Sequence, residues 1–256
     1  MKQYGGYLID LDGTVYRGSD TVASGVRFVK RVQQAGAKCI FLTNNTTRTP
    51  EMVVAKLKGH GVDTDIDHVY TPSLASVAYL RAQNPDKQKI RVYLIGQTGL
   101  FSAFQNDPHF YITDQDPAYV VVGMDTDLTY HKLRVATRAI RSGAGFIGTN
   151  ADMNLPLGDE LVPGNGSQCA MLTAATGQDP LYIGKPSPII VDMALARYGL
   201  KKEETLIVGD NYQTDICAGL NSGVDSLLTL TGITQRADIA EAVQPTYVVE
   251  SLDEWK

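Results

Sequence analysis

The chain is poor in cysteine, with three in 256 residues, and carries a single tryptophan. Cys39, Cys169 and Cys217 are an odd set without a Cys-x-x-Cys pair, which argues against a disulfide framework and against a zinc site. Cys39 lies in an apolar run, where a buried free thiol is the usual occupant. No apolar stretch approaches the ~20 residues needed to cross a bilayer. The opening MKQYGGYLIDLDG reaches acidic residues before a secretory apolar region could form. The expectation is a cytoplasmic protein with no membrane partner. Positive charge is not in excess either: 23 Lys and Arg against 28 Asp and Glu give a net charge of -5 and a pI near 5.4. Such a chain has no general attraction for phosphate backbones, so no nucleic-acid polymer is expected as a partner. Internal repeats, low-complexity tracts and blocks of like charge are also missing.

What is present is a rhythm. Short apolar runs alternate with amphipathic stretches, as βαβ units do around a largely parallel sheet, so the fold class is α/β. Strands are expected at Tyr7–Asp10, Lys38–Thr43 and Val69–Thr71, with helices over Val22–Ala35, Pro50–His60 and Leu74–Ala82. The polar, turn-rich stretch Gln83–Lys89 reads as a lobe boundary. A second α/β pattern follows, with strands at Val92–Ile95, Tyr119–Val122 and Phe146–Thr149 and a helix over Tyr130–Ser142. From Ile183 the first rhythm resumes: helix Pro188–Tyr198, strand Thr205–Val208, helix Thr214–Asn221, strand Ser226–Leu230 and a last strand near Tyr247–Val249. The division is thus a core of residues 1–82 and 183–256 interrupted by an inserted lobe, residues 83–182.

Four places carry chemistry. Asp10-Leu11-Asp12-Gly13-Thr14 follows the apolar Tyr7-Leu8-Ile9, and in an open parallel sheet ligands bind outside the carboxyl ends of strands. Side chains alternate along a strand, so Asp10 and Asp12 can converge while Gly13 lets the backbone approach a ligand. Two adjacent carboxylates repel, and a hard cation such as Mg²⁺ relieves that repulsion. The same residues also read as an ordinary solvated Asp-Gly turn. Thr43 with Asn44 and Asn45 brings a hydroxyl and two amides to the same sheet edge, or forms an Asn-rich turn. Lys185 stands between Gly184 and Pro186 after a short apolar run. Asp210 closes another strand, with Asp215 at the next helix start, where a carboxylate also suits the helix dipole.

Taken together and in this order, DLDGT, Thr43 of LTNN, Lys185 of GKP and GDNYQTD resemble the four motifs of the haloacid dehalogenase superfamily of phosphatases and phosphotransferases. The large insert, with VVVGMD, GTNAD and PGNGS, resembles the NagD-type, p-nitrophenyl phosphatase branch. That resemblance implies a Rossmann-like core with an inserted α/β cap, and small phosphate esters as substrates. It implies that Asp10 is the nucleophile, forming an aspartyl-phosphate, and that Asp12 is the general acid and base. It implies Mg²⁺ held by Asp10, the backbone carbonyl of Asp12 and Asp210, with Asp215 supporting the metal shell or Lys185. Thr43, Lys185 and the amides near Leu11 and Asn44 would receive the phosphoryl oxygens. Asn44, Asn45, Asn150 and Asp152 are candidate substrate contacts. The family's caps also suggest pairing of copies through the insert. A phosphotransferase such as a phosphomutase, or a receiver-like phospho-aspartate module, is the alternative reading.

Overall fold

The computed structural model describes residues 2–157, 160–239 and 243–256. Along the chain, β1 (Gly6–Ile9), the ribbon β2 (Tyr16–Arg17) and β3 (Asp20–Thr21), α1 (Ala23–Gln34), β4 (Lys38–Leu42), α2 (Pro50–Gly59) and β5 (Val69–Tyr70) come first. Then follow α3 (Pro72–Ala82), β6 (Ile90–Ile95), α4 (Thr98–Gln105), β7 (Phe110–Ile112), β8 (Tyr119–Val122), α5 (Tyr130–Arg141) and β9 (Gly145–Gly148). A hairpin, β10 (Asn154–Leu157) with β11 (Glu160–Pro163), precedes α6 (Asn165–Thr176) and β12 (Leu181–Tyr182). The last elements are α7 (Pro188–Tyr198), β13 (Thr205–Gly209), α8 (Cys217–Ser222), β14 (Asp225–Thr229) and β15 (Tyr247–Val249). Among the described residues no helix is long and apolar enough to cross a membrane. The three cysteines are free thiols.

These elements fall into two compact units. The first holds the chain up to Thr43, Pro50–Tyr70 and Lys185–Lys256; the second holds Asn44–Thr49 and Thr71–Gly184. In the first, six parallel strands lie in the order β15-β14-β13-β1-β4-β5. Counted within the unit this is the Rossmann order 3-2-1-4-5-6, whose direction of winding reverses between β1 and β13. All four residues of β1 are buried, as a strand covered on both faces requires. α1 buries Val26, Phe28, Val29 and Val32 in the cluster that includes Tyr7, Ile9 and Phe41. Each fully buried side chain of this size contributes roughly 1.5–3 kcal/mol.

The second unit has its own parallel sheet, β12-β9-β8-β6-β7, the flavodoxin-like order 2-1-3-4-5. Its core joins Ile95, Val120, Val122, Ala136, Ile140, Phe146 and Leu172. Its first helix, α3, packs on α4 and precedes the Gln83 boundary read from sequence. That helix starts at Pro72 because the Thr71 hydroxyl accepts the Leu74 amide and Pro72 occupies the first turn. α4 gave no sequence signal. It is eight residues long and lacks a side-chain cap, and it is held by Phe104 packed edge-on against Phe110. The helix expected over Thr214–Asn221 divides into a wide turn, Tyr212–Ile216, and α8.

One close approach ties α1 to the loop after β1. A Cβ on Gly25 would lie 1.9 Å from the Thr14 carbonyl oxygen and 3.1 Å from the Val15 Cα. Alanine usually stabilises a helix relative to glycine, by up to about 1 kcal/mol. Here the sign reverses, because the colliding atoms are backbone. Gly25→Ala is expected to destabilise by about 3 kcal/mol, a fall of roughly 5–10 °C in melting temperature. Gly59→Ala, whose Cβ meets nothing within 4 Å, should leave the melting temperature level or slightly higher. Thermal denaturation of the two variants followed by circular dichroism checks the contrast.

Candidate active site

The reversal of winding between β1 and β13 puts two strand ends side by side. Ile9 pairs with Val208, and the Asp10 amide donates to the Val208 carbonyl at 2.8 Å. Asp10 and Asp210 therefore leave the carboxyl ends of neighbouring central strands. After Asp10 the chain turns sharply: the amides of Thr14, Val15 and Tyr16 all converge on the Leu11 carbonyl. Gly13 takes a φ of +92°, which glycine adopts at little cost. Asp12 sits exposed on this loop, and Thr43, buried, directly follows β4.

Lys185 is the hub. Its side chain is 2% exposed, and its ammonium donates to Asp10 Oδ1 at 2.6 Å, Asp215 Oδ1 at 2.6 Å and the Leu42 carbonyl at 2.9 Å. Three partners match the three N–H donors of an ammonium. The wide turn at Tyr212–Ile216 lets Asp215 Oδ2 accept the Asn211 amide at 3.1 Å, so both Asp215 oxygens are engaged. Asp210 Oδ2 accepts the Ile233 amide at 2.8 Å.

Carboxylate oxygens of Asp10, Asp210 and Asp215 lie within 4.8 Å of one another. One ammonium among three carboxylates leaves the cluster short of positive charge. Burial, then the repulsion of Asp215, raises Asp10 well above the ordinary carboxylate range against the pull of Lys185. The same two causes push Asp210 up to about 6, opposed by the Ile233 amide and Lys185. Burial would lower Lys185, but Asp10 and Asp215 outweigh it and its pKa lies above the usual lysine value. Asp210 is also fixed in place: a Cβ on Gly13 or Gly232 would lie 2.2 Å or 1.7 Å from Oδ2. An all-oxygen, anionic donor set held this firmly could hold a metal ion, and its chemistry fits a hard divalent cation.

The remaining sequence candidates lie together in the second unit. Asn44 Nδ2 donates to both Asp152 oxygens, at 3.2 and 3.4 Å, and Asn150 Nδ2 donates to the Asn44 carbonyl at 2.9 Å. Asn150 Oδ1 accepts the Asp152 amide at 3.1 Å, and the Asn150 carbonyl accepts from Asn165 at 2.8 Å. Asn45 Oδ1 closes its own turn through the amide and hydroxyl of Thr47. Sequence reasoning missed Thr14, whose hydroxyl is 3.4 Å from both Asp10 Oδ2 and Asp210 Oδ1. It also missed the Gly232-Ile233 turn that grips Asp210. Thr14 belongs to DLDGT, so its motif could have flagged it; a turn twenty residues beyond Asp210 carries no comparable signal.

Comparison with known proteins agrees with this geometry. A haloacid dehalogenase-like hydrolase model matches residues 7–107, and a HAD-hydrolase-like model matches residues 182–255. The 5'-nucleotidase YutF of Bacillus subtilis is 41% identical over 256 residues, covering 100% of this chain and 98% of the relative. The chain belongs to the haloacid dehalogenase-like hydrolase family. The acid sugar phosphatase of Staphylococcus aureus is 40% identical over 255 residues, with 99% of this chain and 97% of the relative covered. Among solved structures, a thermostable NPPase double mutant from Geobacillus stearothermophilus superposes with a TM-score of 0.92 at 41% identity, covering 100% and 99% of the two chains. NagD from E. coli K-12 gives a TM-score of 0.92 at 29% identity, again over 100% and 99%. This family member is a phosphatase of the NagD-like type, with the Rossmann-like core and insert of that fold.

The crowding has a measurable sign. Asp210 titrates higher in the folded than in the unfolded chain, so as pH rises from about 4 through about 6 its ionisation costs stability. Asp210→Asn keeps the shape and an acceptor for the Ile233 amide without the charge. In the absence of divalent ions it is expected to stabilise the protein at pH 7.5 by about 2 kcal/mol, a few degrees in melting temperature. At pH 4 the gain should vanish. Melting curves of both proteins at the two pH values, in chelator, check this.

Proposed function

We propose that this family member hydrolyses small phosphomonoesters in a Mg²⁺-dependent reaction through an aspartyl-phosphate on Asp10. The observation that carries the reading is the Asp10 carboxylate at the end of β1, held by Lys185 and set beside Asp210. Lys185 engages Oδ1 at 2.6 Å while the Thr14 hydroxyl lies 3.4 Å from Oδ2, so Oδ2 is the more loosely held oxygen of Asp10 and the one that attacks phosphorus. The new bond to phosphorus forms as the ester bond breaks, and Asp12 gives its proton to the departing alkoxide. Water then attacks the acyl-phosphate, Asp12 takes its proton, and free phosphate leaves. Thr43 and the amides near Leu11 and Asn44 receive the phosphoryl oxygens, and Lys185, its three N–H groups engaged, contributes its positive charge beside them. Asp215 positions Lys185 through its 2.6 Å ion pair. Mg²⁺ held by Asp10, the Asp12 carbonyl and Asp210 would offset their mutual repulsion and the negative charge of the phosphoryl group.

The names of the relatives, a 5'-nucleotidase, an acid sugar phosphatase and a p-nitrophenylphosphatase, support nucleotides, sugar phosphates and 4-nitrophenyl phosphate as substrates. Asn44, Asn150 and Asp152 bond one another and Asn45 closes its own turn, so a sugar hydroxyl of a nucleotide or sugar phosphate would have to share or exchange these bonds to be read by them. The energetic demand explains the number of groups. Phosphate-monoester hydrolysis can require acceleration of up to ~10²¹, roughly 28 kcal/mol at ~1.36 kcal/mol per decade. General acid catalysis supplies only ~10²–10⁴ of it.

Phosphate release from a panel of phosphomonoesters tests the reading. Turnover is expected with Mg²⁺ and not in chelator. Asp10→Asn should lose at least about three decades of kcat while keeping the wild-type circular dichroism spectrum. Asp12→Asn should lose about two to four decades. An Asp10→Asn protein retaining more than roughly a tenth of wild-type kcat would remove Asp10 from the nucleophile's role. An isomerised sugar phosphate in place of free phosphate would make the reaction a transfer instead.

A further inference from the structure

The loop that carries Asp12 is anchored by one aromatic ring. The Gly13 amide donates to the Tyr16 carbonyl at 2.7 Å, and Asp12 forms an isolated backbone bridge with Tyr16. Tyr16 is also the first residue of β2, paired with Thr21 of β3. Its side chain is 2% exposed although the flanking residues Arg17 to Asp20 are exposed. Two residues one helical turn apart cover it: Lys56 of α2, its ammonium 3.5 Å from the ring centroid, and His60 just beyond α2, stacked at 5.0 Å and 23°. His60 Nδ1 is also 2.8 Å from the Thr21 hydroxyl, so one imidazole holds both strands of the ribbon. A general acid must sit within hydrogen-bond reach of the leaving oxygen, and an exposed carboxylate on a loop holds that position only as well as the loop does.

We infer that Lys56 and His60 are positioning residues for Asp12, acting through the Tyr16 ring. The inference rests on the reading of Asp12 as the general acid. It predicts a specific kinetic signature. Proton donation matters most for a basic leaving group, and little for 4-nitrophenolate, which leaves without help. Loosening the clamp should therefore spare the first release of 4-nitrophenolate, slow the first release of an alkanol, and slow the later attack of water, which needs Asp12 as base, for both esters; a general weakening of the fold slows all of these.

The test compares the first-turnover rate of alcohol release, by rapid mixing, and the steady-state kcat and KM of wild type, Lys56→Met/His60→Ala, His60→Phe and Asp12→Asn on an alkyl phosphate and on 4-nitrophenyl phosphate. The double variant loses two ring contacts, so its first-turnover release of the alkanol should fall about tenfold, with less than about a twofold loss in first-turnover release of 4-nitrophenolate. His60→Phe retains a ring to stack and should recover most of the alkyl-ester rate. Adding the double substitution to Asp12→Asn should cost nothing further. Equal first-turnover losses on both esters, or none, while the first turnover of Asp12→Asn itself discriminates between them, would overturn the inference and leave the role of Asp12 standing. If Asp12→Asn slows the first turnover of both esters alike, the general-acid reading falls and the inference falls with it.

Discussion

Everything at the site depends on one buried ammonium shared between carboxylates. Lys185 bonds Asp10, Asp215 and the last carbonyl of β4, so it joins the ends of two core strands to the wide turn beyond β13 in a single contact set. A buried ion pair adds little net stability, because desolvation consumes most of the attraction. Its value here is geometric. It fixes which oxygen of Asp10 carries the ammonium and which is the more loosely held, and it does so with a group that Asp10 and Asp215 hold above the usual lysine range. The third carboxylate, Asp210, is left without a cation of its own, and the structure holds it in place with the Ile233 amide and two glycines rather than with charge.

The sheet order makes this arrangement available. Only at a reversal of winding do two adjacent parallel strands send their following loops to opposite faces, opening room between the strand ends. β1 and β13 are that pair in the core unit. Strand register then brings Asp10 and Asp210 together, and the turns at Tyr212–Ile216 and Gly232-Ile233 set Asp215 and hold Asp210 beside Asp10. The loop after β1 has the opposite problem, since it must place Asp12 without a strand beneath it. Its backbone folds around the Leu11 carbonyl, passes Gly25 too closely for any Cβ, and ends on the clamped ring of Tyr16.

Much of this was legible in the sequence because the signals were local. A buried strand of four apolar residues ending in Asp, or a Ser-Pro helix start as at α7, is written in adjacent positions. Asp10, Asp210, Asp215 and Lys185 were readable as a group because each stands at a strand end or helix start. The rest was not local. α4 is too short and uncapped to show a period, and it persists through Phe104 against Phe110. The wide turn before α8 looks like ordinary helix in sequence, and only the need of Asp215 to reach the Asn211 amide explains it. The Gly232-Ile233 turn and the Lys56–Tyr16–His60 contacts join residues tens of positions apart, where one sequence gives no clue.

The second unit supplies the control for this argument. It is also doubly wound, and its reversal falls between β6 and β8, so it has a strand end of the same topological kind. There too a buried carboxylate follows the strand: Asp125, 3% exposed. Yet Asp125 is fully answered. One oxygen accepts the Asp127 amide at 2.9 Å, the other meets Lys132 at 2.8 Å, and Gln168 pairs with its backbone amide and carbonyl. A carboxylate satisfied in this way holds a loop and has no capacity left for a ligand. Asp10 and Asp210 differ in having more negative charge than their surroundings neutralise, and that surplus is what a cation and a phosphoryl group can answer. Fold topology offers both places; the balance of charge decides which of them can do chemistry.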